Sequence, residues 1–121
     1  MLRVLIVDDY PETANILASL VESLGHDCRT AGTGRHALAE ALAFEPHVTL
    51  LDLGLPDLSG FDVARALRAQ PGGATRRIIA LTGWATDRDR KLAHQAGCDD
   101  FLLKPATSKK LQTLLRVNAK G

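Results

Sequence analysis

Along this chain, short apolar runs alternate with segments whose apolar residues recur at helical spacing. RVLIV (3–7), DCRTA (27–31), HVTLLDL (47–53), RRIIALT (76–82) and FLL (101–103) read as five strands, with DCRTA the weakest of them. Runs such as VLIV and VTLL show no polar alternation and suit strands covered on both faces. Between the first two runs, Ile16, Leu17, Leu20, Val21 and Leu24 form one helical stripe, opened by Pro11 and closed by Gly25. Ala37, Leu38, Ala41 and Leu42 predict a second helix from about Arg35 to Phe44, ended by Pro46. A third runs from Ser59 to about Gln70, with Ser59 and Asp62 at capping-box spacing. DRDRKLAHQAG predicts a fourth helix capped by Gly97, and SKKLQTLLRV a fifth.

Strict alternation of strand and helix implies a parallel sheet, because parallel strands need crossover connections, and right-handed crossovers place helices on both faces. The fold class is α/β. Its functional crevice is expected at the carboxyl ends of the strands, where strand order reverses. At 121 residues, the chain (1–121) is expected to form one domain that buries roughly two thirds of its unfolded surface.

A 45% hydrophobic and 24% charged composition is that of an ordinary globular protein, and a formal charge of +1 supplies no general field for nucleic acid or anionic membrane. No apolar run approaches the roughly 20 residues of a membrane span, and MLRVLIVDD is too short and acidic for a signal peptide, so a cytoplasmic location is expected. Cys28 and Cys98 stand far apart and read as reduced thiols.

The strand ends carry the chemistry. VLIV ends in Asp8 and Asp9, VTLL in Asp52, IIAL in Thr82 and FLL in Lys104. Each has an ordinary explanation alone: a helix cap, a turn residue, a good strand former, a lysine leaving an edge. Together they place three carboxylates, a hydroxyl and an ammonium on one rim. Two carboxylates about 4 Å apart repel by roughly 4 kcal/mol at an effective dielectric near 20, so the cluster needs compensation. Three negatives less the one positive of Lys104 leave the balance of a divalent cation, and oxygen ligands suit Mg2+, or Mn2+ in its place. His26, His36, His47 and His94 are scattered and are expected on surfaces or helix faces. A cation beside a carboxylate is a phosphoryl-transfer arrangement, with Asp52 on the central strand as the nucleophile.

LIVDD, LLDLGLPDLSG, ALTG and FLLKP, in that order and at these spacings, resemble the receiver domain of two-component response regulators and hybrid histidine kinases over the whole chain. The resemblance implies a flavodoxin-like doubly wound sheet of order 2-1-3-4-5. It implies that Asp52 accepts a phosphoryl group from a phosphohistidine on a sensor kinase or phosphotransfer protein. Asp9 would bind Mg2+ directly, Asp8 largely through water, and Asp52 and the Gly54 backbone carbonyl would complete the protein ligands. Lys104 and Thr82 would contact the phosphoryl oxygens beside the Gly83 amide, and a cis bond before Pro105 would aim Lys104 at Asp52. Movement of Thr82 would open space for Phe101 and alter the face of the fourth helix, fifth strand and fifth helix; plain core packing is the other reading of Phe101. Such a domain is a phosphoacceptor with slow self-dephosphorylation and not a turnover enzyme. It contacts a kinase, with no direct nucleic-acid binding and no membrane insertion.

Phe101 stands where the family more often has tyrosine, which removes a hydroxyl from the switch. Gly54 and Trp84 occupy positions that in the family influence acyl phosphate hydrolysis, and neither can orient an attacking water. Trp84 is expected to shield the phosphoryl group, or else to anchor a partner. Three other readings fit the residues less well. GTGRHA (32–37) resembles a dinucleotide fingerprint, but it follows the second strand and leaves LIVDD and LLKP unexplained. An aspartate-nucleophile phosphatase would need a second Asp at position 54. A receiver-like module that only binds partners has no need of Asp9, Asp52, Thr82 and Lys104 together.

Overall fold

A computed structural model describes residues 1–83 and 86–120, with side chains of the last helix described through Leu115. The elements are β1 (Arg3–Val7), α1 (Pro11–Ser23), β2 (Asp27–Ala31), α2 (Gly34–Phe44), β3 (Val48–Asp52), α3 (Gly60–Ala69), a 3-10 turn (Gly73–Thr75), β4 (Arg77–Thr82), α4 (Asp87–Gln95), β5 (Asp100–Leu103) and α5 (Ser108–Lys120). All strand pairings are parallel, in the order β2-β1-β3-β4-β5. Strand order reverses between β1 and β3, which places the carboxyl ends of those two strands at the crevice.

The two faces of the sheet hold separate cores. Val4, Ile6, Leu50, Ile79 and Leu81 meet Ala14, Leu17 and Val21 of α1 and Leu111 and Leu115 of α5. Leu5, Val7, Leu51, Ile78 and Ala80 meet Ala37 and Ala41 of α2, Val63 and Leu67 of α3, and Ala93 of α4. Because adjacent strand residues point to opposite faces, an unbroken apolar run is what a sheet covered on both sides requires.

Four details differ from the periodicity reading. Ile16 and Leu42, each counted in a buried stripe, point outward and are exposed, while Ala14 and Phe44 take their places inside. Ser59 and Asp62 form no capping box. The Ser59 hydroxyl accepts from the Phe61 amide and Asp62 pairs with Arg65, whereas the reciprocal box is made by Thr86 and Asp89 at the start of α4. His47 lies just outside β3, and Asp100 is drawn into β5.

His26 and His47 have a defined structural use at the amino-terminal end of the sheet. Nδ1 of His26 accepts from the Leu2 amide at 3.1 Å, and Nδ1 of His47 from the Arg3 amide at 2.9 Å. Protonation would turn each acceptor into a donor facing a donor. Burial first, and nearby positive charge second, hold both imidazoles below their ordinary pKa. Their contribution to stability is therefore complete above about 6.5, the unfolded value, and is lost as pH falls from there through the folded value. The urea midpoint is expected to drop between about pH 7.5 and pH 5.5. It should drop less in His47→Asn, whose amide oxygen keeps the acceptor without titrating. An equal drop in both proteins would contradict this role for His47.

Cys28 and Cys98 are free, and burial chiefly pushes both thiols up to about 11, so they stay protonated.

Candidate functional site

The carboxyl ends of β1, β3 and β5 converge. Oxygens of Asp8, Asp9 and Asp52 all lie within 4.8 Å of one another. The Asp8 side chain is fully buried and accepts from the Tyr10 amide at 3.0 Å through Oδ1 and from Lys104 Nζ at 3.2 Å through Oδ2. Asp52 accepts from the Gly54 amide at 2.9 Å through Oδ1, and its Oδ2 lies 3.4 Å from Lys104 Nζ. One ammonium thus bridges two carboxylates from different strands, while Asp9, half-buried, stands at the mouth.

Each position follows from the local chain. Tyr10 precedes Pro11 in extended backbone, and Asp8, two residues back from Tyr10, folds onto its amide as an Asx turn. Lys104 is held by its own backbone, since its amide donates to the Thr82 carbonyl at 2.7 Å, and the Lys104–Pro105 bond is cis. Burial taken alone would lower the pKa of the Lys104 ammonium. The charge of Asp52 and the hydrogen bond and charge of Asp8 outweigh it, and the net direction is upward. With three carboxylates against one ammonium the site carries a surplus of two negative charges. Oxygen donors on one rim with that surplus fit a hard divalent cation.

The loop after Asp52 is fixed at three places. The Gly60 amide closes its base on the Leu53 carbonyl at 3.3 Å, and a side chain at Gly60 would stand 2.4 Å from Leu53 Cα. Asp57 reaches back to α2, accepting from the Gly34 amide at 2.7 Å and the Arg35 amide at 3.1 Å. Foremost among its causes, the Gly34 hydrogen bond holds the Asp57 carboxyl below its ordinary range. Leu58 packs against Gly34, so the segment that carries Gly54 is seated on a helix start.

Thr82 ends β4 next to β3, half-exposed at the same rim. Gly83 follows with open space where a side chain would be. Phe101 pairs with Ala80 across β4 and β5, on the same face as Thr82, half-buried against the second core with the Arg90 guanidinium 5.4 Å above its ring. The structure therefore gathers Asp8, Asp9, Asp52, Gly54 and Lys104, places Thr82 and Gly83 on the rim, and sets Phe101 behind. Trp84 lies outside the described residues.

Sequence reasoning missed Asp57, which read as one more turn residue in GLPDLSG. It also missed Arg68, whose guanidinium donates to the carbonyls of Gly97, Gly73 and Arg76 and pairs with Asp99, binding the end of α3 to the approach to β5. Nothing local marks either residue: both partners of Asp57 lie more than twenty positions away, as do Gly97 and Asp99 for Arg68, and the nearer carbonyls of Gly73 and Arg76 reach Arg68 only through the turn that follows α3.

An open, doubly wound α/β sheet with an acidic, cation-fitting pocket at its switch point is the class that fold and site define. The chain belongs to the response regulator receiver domain family, whose model matches residues 4–116. It is 37% identical over 114 residues to the DNA-binding response regulator MtrA of Mycolicibacterium smegmatis, covering 94% of this chain and 49% of that protein. It is 40% identical to the transcriptional regulatory protein KdpE of Mycobacterium tuberculosis, over 87% of this chain and 45% of that one. The chain thus spans about half the length of these relatives. Among solved structures it is similar to the chemotaxis protein CheY4 of Vibrio cholerae, with TM-score 0.92 and 27% identity over 97% of this chain and 98% of that one. The receiver domain of a Pseudomonas aeruginosa sensor histidine kinase, with a magnesium ion in its active site cleft, matches with TM-score 0.90 and 32% identity over 99% and 98% of the two chains.

Proposed function

We propose that residues 1–121 act as one phosphorelay receiver in which Asp52 accepts a phosphoryl group from a phosphohistidine donor. The observation that carries the reading is the convergence of three carboxylates within 4.8 Å around an ammonium that bridges Asp8 and Asp52. An Asp52 oxygen forms a bond to phosphorus as the phosphorus–nitrogen bond to the donor histidine breaks, and the leaving imidazole takes up a proton. Asp8, Asp9, Asp52 and the Gly54 carbonyl would hold Mg2+, or Mn2+ in its place. When bound, that cation supplies charge neutralisation on the transferring oxygens. Lys104 is within reach of the same oxygens, and the Thr82 hydroxyl and Gly83 amide occupy the rim where the phosphoryl group would rest. Gly54 offers no carboxylate to activate water, so the domain is a phosphoacceptor that dephosphorylates slowly and not a turnover enzyme. Trp84 would shield the product.

Thr82 and Phe101 share a face, so a shift of Thr82 toward the phosphoryl group is relayed by Phe101 to the surface of α4, β5 and α5. A sensor kinase or phosphotransfer protein would dock beside the site. A pocket of about 380 Å3 formed by Ile16, Leu17, Pro105 and Ala106 adjoins Lys104, and the exposed Ile16 supplies an apolar contact that the core does not use. The reading includes no direct nucleic-acid contact by this domain. A cytoplasmic site of action belongs to the same reading; among the described residues no helix is long and apolar enough to cross a membrane.

The test is intact mass after incubation with Mg2+ and acetyl phosphate, or with a phosphorylated histidine protein. The expected result is gain of one acid-stable, base-labile phosphoryl group, and no gain from either donor would sink the proposal. Ile16→Asp is expected to slow transfer from the protein donor by about tenfold and leave transfer from acetyl phosphate unchanged. Equal slowing with both donors would mean that Ile16 shapes the site instead of docking the partner.

A further inference from the structure

In the receiver reading, the loop between β3 and α3 (53–59) must present one metal ligand, the Gly54 carbonyl. It holds no helix or strand of its own and exposes Gly54, Pro56, Asp57 and Ser59. Its ends are fixed by near neighbours, since the Gly54 amide donates to Asp52 Oδ1 and the Gly60 amide to the Leu53 carbonyl. The middle is held from farther away. Among the described residues, the side-chain hydrogen bonds that join residues 55–58 to another element are those of the Asp57 carboxylate. Its Oδ1 accepts from the Gly34 amide at 2.7 Å and its Oδ2 from the Arg35 amide at 3.1 Å.

The start of α2 is shaped for this contact. A side chain at Gly34 would stand 2.8 Å from Val63 Cγ2 and 3.0 Å from Leu58 Cβ, so glycine is what lets the helix and the loop approach. The first turn of α2 contains no acidic residue, and its Thr33 cap accepts from His36, which leaves the Gly34 and Arg35 amides to be satisfied from outside the helix. Asp57 supplies both acceptors, and with them the negative charge that a helix start favours, from 23 positions away. GTGRHA, which resembles a dinucleotide fingerprint, is thereby accounted for: amides that could face a pyrophosphate are occupied by a carboxylate of the same chain.

We infer that Asp57 is a positioning residue for the cation: by tying the loop to the start of α2, it holds the Gly54 carbonyl in place before the metal arrives. The inference rests on the receiver reading and deepens it. Asp57 lies outside the cluster of Asp8, Asp9 and Asp52 that a cation would contact, so it acts through the backbone of the loop. A loop free at its middle would have to be ordered when the metal binds, which weakens affinity, whereas a loop ordered during folding binds at full strength. Reciprocity adds a second consequence: the factor by which the clamp raises metal affinity is the factor by which the metal favours the closed clamp.

The experiment is calorimetric titration of Mg2+ into the parent, Asp57→Ala, Asp57→Asn and Thr33→Ala. Each is also melted in chelator, and phosphoryl gain from acetyl phosphate is read by mass. Thr33→Ala removes a cap of α2 without touching the loop, so it reports what a weaker α2 does alone. Asp57→Ala is expected to bind Mg2+ about tenfold more weakly than the parent. Asp57→Asn, which keeps one acceptor oxygen, should fall between them, and Thr33→Ala should melt lower with parental Mg2+ affinity. In the parent, saturating Mg2+ should slow hydrogen exchange of the Gly34 and Arg35 amides by about the same tenfold, and that of the His36 amide by less. Parental Mg2+ affinity in Asp57→Ala, an equal loss of affinity in Thr33→Ala, or equal protection of all three amides would each reduce Asp57 to a helix cap and overturn the inference. The receiver reading survives those outcomes if the parent gains a phosphoryl group. Weaker Mg2+ binding by Asp57→Ala, with no phosphoryl gain in the parent, sustains the clamp and removes the phosphoacceptor reading. A parent that binds no Mg2+ overturns both.

Discussion

Asp52→Asn is expected to abolish phosphoryl gain from any donor and, without metal, to melt at a higher temperature than the parent. The first effect follows from chemistry, because a neutral amide oxygen is a poor nucleophile and the substitution removes the central carboxylate. The second follows from electrostatics. Asp52 stands within 4.8 Å of two like charges and near one opposite charge at 3.4 Å, so repulsion exceeds attraction by about one pair. A pair at that separation is worth about 3 kcal/mol at an effective dielectric near 20; after discounting for the partly open mouth of the site, a gain of about 1–2 kcal/mol is expected. The amide oxygen can still accept from Gly54. Melting in chelator tests the claim, and a variant that melts below the parent there would show that the Lys104 pairing outweighs the crowding of carboxylates. With Mg2+ added the order should narrow or reverse, since a ligand that binds the folded parent more tightly stabilises it more.

Destabilisation of this kind explains how much of the molecule was legible in its sequence. Strand cores such as VLIV and VTLL and the order of elements were readable because burial on both faces leaves an unbroken apolar run. The rim was readable for the opposite reason. Asp8, Asp9, Asp52 and Lys104 are strongly polar groups that end three apolar runs, and no requirement of a strand explains three such endings on one edge. What could not be read depends on distance. Ile16 and Leu42 belong to helical stripes by spacing, and only the docking angle of each helix decides that they point outward. Asp57 gives no local sign that it binds amides of α2, and Arg68 gives none that it gathers three carbonyls from two separate turns. His26 and His47, expected on surfaces or helix faces, are partly exposed and outside any helix, and spacing gives no sign that each accepts from an amide of the first strand or its approach. Contacts of this type are set once the sheet exists and leave no periodic trace.

Lys104→Met should slow phosphoryl acceptance by about a hundredfold while strengthening Mg2+ binding by about tenfold or more. The ammonium does two opposed things. It neutralises part of the negative surplus shared by Asp8 and Asp52, which weakens the pull of the site on a cation, and it is placed to meet charge that develops on a transferring group. Methionine keeps much of the apolar stem beside the α1 pocket and loses only the charge, so packing against Leu17 and Ala106 should survive. A structural collapse would lower rate and metal affinity together, whereas loss of a positioned cation drives them apart. Metal affinity from calorimetry and rate from the time course of mass gain separate the two. If Met at position 104 transfers at the parental rate, the lysine serves only to hold the empty carboxylates together, and stabilisation of the transferring group must come from Thr82, the Gly83 amide and the bound cation alone.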